Sequence, residues 1–421
     1  MKQENVLERV YQPKRLIEAW QQVKYNAGTA GIDRMTVSDF EARIKELFPK
    51  LRNKVREGKW RFKPARRVEI PKEGRSGKMR KLGIPVVMDR IVSTSMQGVF
   101  ENIFGIEFTA SNYGFRRGKS QHMAINHVKK KVEQGYIWCA SIDLKSFFDE
   151  IPHNLILKLI RRKISDERLV TLVARALKAG VVVDGKFQKT TKGCPQGSPL
   201  SPMLSNIVLN ELDQELEKRK LNYCRWADDF VILTKSERAA TRVMEGITRF
   251  LENKLGLLVN KDKSKVAKVR DVTFLGVNIT SQKIKISEKA LIKFKGKVRS
   301  KTKRNNPFST YWIVQDLNKY LRGWTSYFRI QEMVGVFEEL DRWIRNRLRS
   351  MQLKKWKKPK KFQRMMRKAG FDTEESKETW INMRRWRSVN RKEVLWLLSL
   401  EWFRKLGLFF LDDYSQKPLK V

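Results

Sequence analysis

Asp228 and Asp229 stand side by side inside an apolar stretch, Tyr223-Cys-Arg-Trp-Ala-Asp-Asp-Phe-Val-Ile-Leu233. Few arrangements allow this. Adjacent carboxylates repel, and each loses hydration when strand formers surround it. The flanking residues predict two strands of a hairpin with the acids near its turn. Such a pair is best tolerated when a divalent cation joins the carboxylates. Mg²⁺ takes one or two protein carboxylates and leaves its other positions to water and substrate phosphates.

A second apolar run, Ile137-Trp-Cys-Ala-Ser-Ile-Asp143, ends in an acid 85 residues before Asp228. An acid at the end of one strand can face a carboxylate pair in a neighbouring hairpin. Three such carboxylates can hold two metals, one activating a hydroxyl and the other stabilising the leaving oxygen of a phosphoryl displacement. Taken singly, Asp143 reads equally well as a surface acid at a strand end.

Charge narrows the partners. The chain of 421 residues holds 90 Lys and Arg against 45 acids, a formal +45. A folded protein this basic repels itself without a polyanion, and nucleic acid is the expected partner. A membrane is not expected: there is no long uncharged apolar span and no lipidation signal. The N-terminus lacks the apolar core of a signal peptide, so a cytoplasmic location is expected. Cys139, Cys194 and Cys224 form no Cys-x-x-Cys pair, and only three histidines accompany them, so neither a disulfide scaffold nor a zinc module is expected.

Along the chain, residues 10–25 predict a helix whose C-cap Gly28 could supply, and 38–57 predict another. Residues 66–85 predict a hairpin with a Gly-rich basic tip, suited to a triphosphate or simply solvated. Helical patterns follow at 86–103, 119–134, 154–163 and 166–179. Ser201 is placed to N-cap a further helix, with Pro202 at its first position and an apolar stripe of Leu204, Ile207, Val208, Leu212 and Leu216. After the acidic hairpin come a helix at 237–254 and a strand at 272–279. This succession predicts an α+β fold with antiparallel pairing.

Beyond residue 286 the character changes. Residues 289–421 hold 34 basic and 13 acidic residues, a net +21. Two helices are marked by Val314, Leu317, Leu321, Trp324 and Phe328, then by Leu340, Trp343, Ile344, Leu348 and Met351. Their stripes read as core, and their arginines as nucleic-acid contacts. Residues 354–361 read as a basic linker to a small module with Trp380, Trp386, Trp396 and Trp402. Basic runs interleaved with aromatics suit strand binding, although most of these tryptophans read as core.

Together these pieces resemble the reverse transcriptase of bacterial group II introns, also called an intron maturase. The resemblance rests on the 26–33 loop, Ile70-Pro-Lys72, Arg80-Lys-Leu-Gly-Ile-Pro85, Ser111-Asn-Tyr-Gly-Phe-Arg116 and Asp143-Leu-Lys-Ser-Phe-Phe-Asp149. It continues through Pro195-Gln-Gly-Ser198, Ala227-Asp-Asp229, Phe274-Leu-Gly276 and Gly323-Trp-Thr-Ser-Tyr-Phe328. It implies a right-hand polymerase: fingers at 1–135, palm at 136–285 (about 154–185 belonging to the fingers), helical thumb at 286–350 and a DNA-binding region at 351–421. It implies catalytic Asp143, Asp228 and Asp229, with Leu144 beside them as a metal ligand, and two Mg²⁺ ions, Mn²⁺ being a substitute. Phe148 matches the gate against a ribonucleotide 2′-OH. Lys72 and Arg80 match the triphosphate grip, and Gln196 and Lys263 residues near the nucleotide.

The resemblance further implies nucleic-acid contacts at Asn26, Gly28, Gly31, Arg116 and Trp226, joined by Arg345, Arg349, Lys354 and Lys355 of the basic thumb and tail. Its partners are an intron RNA template, a DNA primer or target, and dNTPs, in a monomer or a dimer. Two features depart from the family. Trp226 replaces the usual Tyr before Ala-Asp-Asp, and no His/Cys-rich nuclease domain precedes Val421, as in the compact subgroup that leaves the second DNA strand uncut.

Overall fold

A computed structural model describes residues 2–71, 79–356, 359–368 and 389–415, with six positions between 370 and 381. The chain divides into two units: residues 1–275 with 279–281, and residues 276–278 with 282–421.

The first unit opens with helices α1 (Val6–Tyr11), α2 (Pro13–Asn26), α3 (Val37–Ala42) and α4 (Ile44–Arg56). Pro13 starts α2 at its first position, so the helix expected over 10–25 is two helices. The left-handed residue ending α2 is Ala27 (φ 40°), not Gly28. Helix 38–57 likewise breaks at Arg43, while Thr36 and Asp39 cap α3 reciprocally. Strands β1 (Ala65–Pro71) and β2 (Met79–Ile84) pair antiparallel as expected, and their basic tip lies outside the described residues.

Next come α5 (Val87–Phe104), α6 (Gln121–Glu133), β3 (Trp138–Ile142), the turn of helix α7 (Phe147–Glu150), α8 (His153–Lys163), α9 (Glu167–Leu177), β4 (Val181–Val183) and β5 (Lys186–Gln188). β4 pairs parallel with β1, Ala65 opposite Val181, which ties the 154–188 segment to the N-terminal strands. Helix α10 (Ser201–Lys218) carries the expected stripe, all five residues buried. Ser201 is its first residue, and its hydroxyl donates to the Pro195 carbonyl (2.8 Å) instead of capping.

The site rests on the sheet made by β6 (Asn222–Trp226), β7 (Asp229–Thr234), β3 and β8 (Lys265–Lys268), in that order and antiparallel throughout. Helix α11 (Glu237–Leu255), capped by Ser236 and ended by left-handed Gly256, lies across β3, β7 and β8, and α6 packs on β6. Phe230, Val231, Ile232 and Leu233 are all buried. Both faces of β7 are covered, so its sequence reads as a continuous apolar run instead of an alternation.

The expected strand at 272–279 is two short strands, β9 (Thr273–Phe274) and β10 (Val277–Ile279), because Leu275 (φ 48°) and Gly276 (φ 80°) turn the chain between them. In the second unit, β11 (Ile284–Ile286) precedes α12 (Glu288–Lys301), α13 (Thr310–Phe328), α14 (Val336–Lys355) and α15 (Pro359–Lys368). Of the stretch 354–361 expected as a linker, Lys354 and Lys355 belong to α14 and α15 begins at Pro359, while residues 357–358 lie outside the described residues. Three short helices, Lys392–Leu397, Leu400–Lys405 and Leu411–Ser415, complete the described chain. Among the described residues no helix is long and apolar enough to cross a membrane.

Candidate active site

The acidic hairpin closes tightly. Trp226 pairs with Asp229, leaving Ala227 and Asp228 as a two-residue loop. Ala227 has φ 55°, a left-handed position that such loops usually give to Gly. An alanine there costs roughly 1–2 kcal/mol, so something must hold it. One support is close packing. A Cβ at Gly114 would lie 2.2 Å from the Ala227 nitrogen, so only glycine lets the 111–116 loop pass behind the turn. That loop is fastened to β6 by Arg225 N–H to Ser111 O (3.0 Å) and Tyr113 N–H to Arg225 O (2.9 Å).

The other support is Arg225, fully buried. Its guanidinium grips Asp213 of α10 in two places (Nε–Oδ1 2.7 Å, Nη2–Oδ2 2.5 Å) and donates through Nη1 to Asn206 Oδ1 (3.0 Å) and the Ala227 carbonyl (2.9 Å). Asn206 in turn donates to Gly114 O (2.9 Å). Helix α10 therefore holds the turn from behind through a buried ion pair and an amide. Sequence reasoning missed Arg225, Asp213 and Asn206. The signal was an Arg inside an apolar strand, which stays buried only with a partner.

Asp143 follows β3 directly. Its N–H donates to Ser264 Oγ (3.0 Å), its carbonyl accepts from Asn260 N–H (2.8 Å), and Lys263 Nζ reaches its Oδ2 (2.9 Å). Leu144 is buried and bridges to Val259. The 260–264 turn thus clasps Asp143 on three sides. Burial lifts the Asp228 carboxyl above the ordinary carboxylate range. Its own backbone N–H offsets part of that, Asp143 adds to the rise, and Arg80 and Arg225 oppose it.

A cleft of about 600 Å³ opens in front of the hairpin, lined by Asp228, Asp229, Trp226, Phe148, Gln196, Arg80 and Asn26 among others. Seven residues expected near nucleotide or primer thus meet at one surface. Arg80 Nε donates to Gln196 Oε1 (3.0 Å), so the two expected nucleotide contacts are already joined. Gln22, Gln97 and Phe115 also line the cleft and were not foreseen. Phe148 is held by its neighbour loop: Cys194 N–H donates to Phe148 O and Gly193 N–H to Ile151 O (both 2.7 Å), and buried His153 donates through Nε2 to Gly193 O (2.8 Å). Lys72 lies outside the described residues.

Other expected contacts fall elsewhere. Gly31 is buried where a Cβ would strike the Val86 backbone at 2.7 Å, so packing explains it, whereas Gly28 is exposed and a Cβ there would meet only the Arg90 guanidinium. Arg116 donates to the carbonyls of Thr109 and Asn112 and covers the Phe108 ring, which makes it a brace of its own loop. Arg349 is the clearest correction. It is buried, donates to Leu398 O (3.0 Å) and Asn346 Oδ1 (2.9 Å), lies over Phe403, and is pushed down to about 10 by burial. Arg345 is half-buried over Phe410.

The arginine-aromatic interleaving of the second unit is thus partly internal stacking, which a planar guanidinium permits. Lys354 and Lys355 are half-buried, Lys355 bonding the Phe308 carbonyl. Trp402 is half-buried and Trp396 mostly exposed, so Trp396 is not core; Trp380 and Trp386 lie outside the described residues.

Among the described residues no three acidic, His or Cys side chains converge as a ready-made metal cluster. Asp143 faces Lys263 instead of completing a cage with the hairpin acids. The donor chemistry nonetheless fits a divalent cation. Asp228 is partly desolvated and repelled by Asp143, and a cation beside both would relieve each cost.

Residues 70–279 match the family model described as reverse transcriptase (RNA-dependent DNA polymerase), and residues 291–370 the group II intron, maturase-specific domain. Protein YkfC of Escherichia coli is 34% identical, with 69% of this chain and 86% of that protein covered. The group II intron-encoded protein LtrA of Lactococcus lactis is 29% identical, covering 68% of this chain and 57% of LtrA. The putative COX1/OXI3 intron 1 protein of Saccharomyces cerevisiae is 28% identical over 70% of this chain and 42% of its own length. A sheet carrying acids at its strand ends beside a cleft, followed by a helical basic unit, is that of a nucleic-acid polymerase. The chain belongs to the group II intron reverse transcriptase and maturase family. It spans less than two thirds of the LtrA and yeast proteins.

Proposed function

We propose that the protein is an RNA-directed DNA polymerase of a mobile group II intron, and that it also binds the intron RNA to assist splicing and retrohoming. The observation that carries this is the placement of Asp228, Asp229, Trp226, Phe148, Gln196 and Arg80 on one cleft, with Asp143 at the adjoining strand end. In this reading 1–135 are fingers, 136–285 palm, 286–350 thumb and 351–421 a DNA-binding region. Asp143, Asp228 and Asp229, with the Leu144 backbone, would hold two Mg²⁺ ions. Such ions would supply Lewis-acid activation of a primer 3′-OH and charge neutralisation for a departing pyrophosphate.

The chain's own residues do the rest. Arg80 and Lys72 neutralise the triphosphate. Gln196, fixed by Arg80, lines the base side, and Phe148 stands where a 2′-OH would project. Trp226 presents an apolar face to the primer end. Lys263 holds Asp143 in place. The positive charge draws the RNA template and DNA target, and the bacterial cytoplasm is where both are found.

Primer extension on a defined RNA template with dNTPs and Mg²⁺, beside Asp228→Asn, tests the proposal. Full-length DNA from the wild type alone is expected, with RNA binding retained in the variant. No extension by the wild type despite tight RNA binding would overturn the polymerase reading and leave splicing assistance. Binding should weaken with salt by about 0.9 log units per log salt for each phosphate neutralised on duplex DNA.

A further inference from the structure

The end of the loop between α12 and α13 and the first turn of α13 present three aromatic rings to solvent. Phe308 is 66% exposed, Tyr311 51% and Trp312 65%. Tyr311 and Trp312 sit edge to face at 5.5 Å in the first turn of α13, and Phe308 immediately precedes its cap, Ser309. A soluble surface does not normally gather three large rings within five residues. Nor are they loosely held. Ser309 Oγ accepts from Trp312 N–H (3.3 Å), Asn306 Oδ1 accepts from Phe308 N–H (3.1 Å), and Lys355 at the end of α14 bonds the Phe308 carbonyl. The rings are displayed on a fixed backbone.

Their surroundings name the partner's charge. From Arg299 to Trp312 the chain carries Arg299, Lys301, Lys303 and Arg304 and no acid. Asp316, the next acid along α13, is already paired with Lys301. Lys354 and Lys355 close the patch from α14. A protein partner would bring apolar surface and hydrogen-bonding groups but has no need of this uniform positive field. A polyanion with flat apolar faces matches both properties.

We propose that Phe308, Tyr311 and Trp312 form a stacking platform for unpaired bases of a single-stranded nucleic acid, whose phosphates lie along Lys303, Arg304 and Lys354. Bases offer the π faces, and the platform needs no sequence because every base has one. Paired bases cannot use it, since their faces are covered by neighbours. The inference rests on the nucleic-acid reading above and adds a site and the state of the strand it takes.

The test uses the full chain and two 12-nucleotide probes of equal charge, one bearing bases and one abasic, each as RNA and as DNA, read by fluorescence anisotropy over a salt series. The base-bearing strand should bind about fivefold or more tightly. Phe308→Ala with Tyr311→Ala and Trp312→Ala should abolish that preference and leave the salt slope unchanged, because no phosphate contact is removed. Stacking should also quench Trp312 fluorescence with the base-bearing probe only. Loss of preference on either the RNA or the DNA arm supports the platform. Equal affinity of wild type for both probes would overturn it. So would a triple variant that changes only sedimentation, which would assign the rings to a second copy of the chain. Primer extension separates the two readings: a chain that distinguishes the probes yet makes no DNA leaves the platform standing and removes the polymerase.

Discussion

Replacing Asp213 by Asn should reveal how the catalytic turn is held. Asp213 and Arg225 are both fully buried, and Asp213 accepts two of the four hydrogen bonds made by the guanidinium. The variant leaves that charge without a counter-charge, a loss of about 3–5 kcal/mol. Arg225→Met combined with Asp213→Leu removes both charges, so the pair term cancels. What remains is an unmet Ala227 carbonyl and Asn206 amide oxygen, about 1–3 kcal/mol each if neither finds another donor. The double variant should therefore lose stability in the same range as Asp213→Asn, about 2–6 kcal/mol in total. It should not recover activity. Arg225 is what ties the carbonyl beside Asp228 to α10, and a shift of about 1 Å at a reacting group costs on the order of 10²-fold. Urea denaturation followed by tryptophan fluorescence gives the stabilities, and single-nucleotide incorporation gives the rate. A double variant with wild-type rate would refute the positioning role and leave the sheet alone to place the acids. A loss below about 1 kcal/mol for Asp213→Asn would refute the burial argument.

Gly193→Ala puts a Cβ 2.6 Å from the Asp149 carbonyl oxygen at a φ of 85°, so the Phe148 loop must shift; discrimination between dNTP and rNTP, measured as a kcat/KM ratio, should fall. Asp89 accepts from Trp60 Nε1 and Lys63 N–H, and burial pushes it up to about 7. Folded protein then holds that proton above the ordinary range near about 4, so the contribution to stability is present at low pH and is lost as pH rises through 7. Subtracting the Asp89→Asn urea profile from the wild type between pH 5 and 8 should expose this slope, and superimposable profiles would refute it. Arg349→Met should destabilise the second unit yet leave the salt slope of RNA binding unchanged, whereas a slope lower by about one would return Arg349 to the phosphate contacts.

The acids were legible because their chemistry is local: an apolar strand that ends in a carboxylate needs an explanation wherever it occurs. The hairpin turn and the stripe on α10 follow for the same reason, each being settled within a few residues. What escaped depends on distant partners. Nothing near Asp213 announces that it faces Arg225, and nothing near Gly114 announces that Ala227 approaches it. Arg349 and Trp396 were exchanged for the same reason. An amphipathic arginine can stack inside a small helical module, and a tryptophan can be left outside it, according to neighbours some 50 residues away in sequence. The broken helices at Gln12 and Arg43 show the remaining gap. Apolar periodicity continues across both breaks, while the chain itself turns.

The register of the central sheet has a consequence for how such a chain can change. Ile142 faces Phe230 and Trp226 faces Asp229, so backbone pairing alone carries Asp143 to the level of the hairpin acids. Their separation is inherited from inter-strand spacing, which substitutions of neighbouring side chains leave alone. Loss or gain of a single residue within 138–142 would instead send Asp143 to the opposite face. Substitution and length change are therefore unequal hazards here. The strand should accept size-conserving replacements over time and almost no insertions, while the two-residue connection at Asp184–Gly185, between β4 and β5, is exposed and better placed to lengthen.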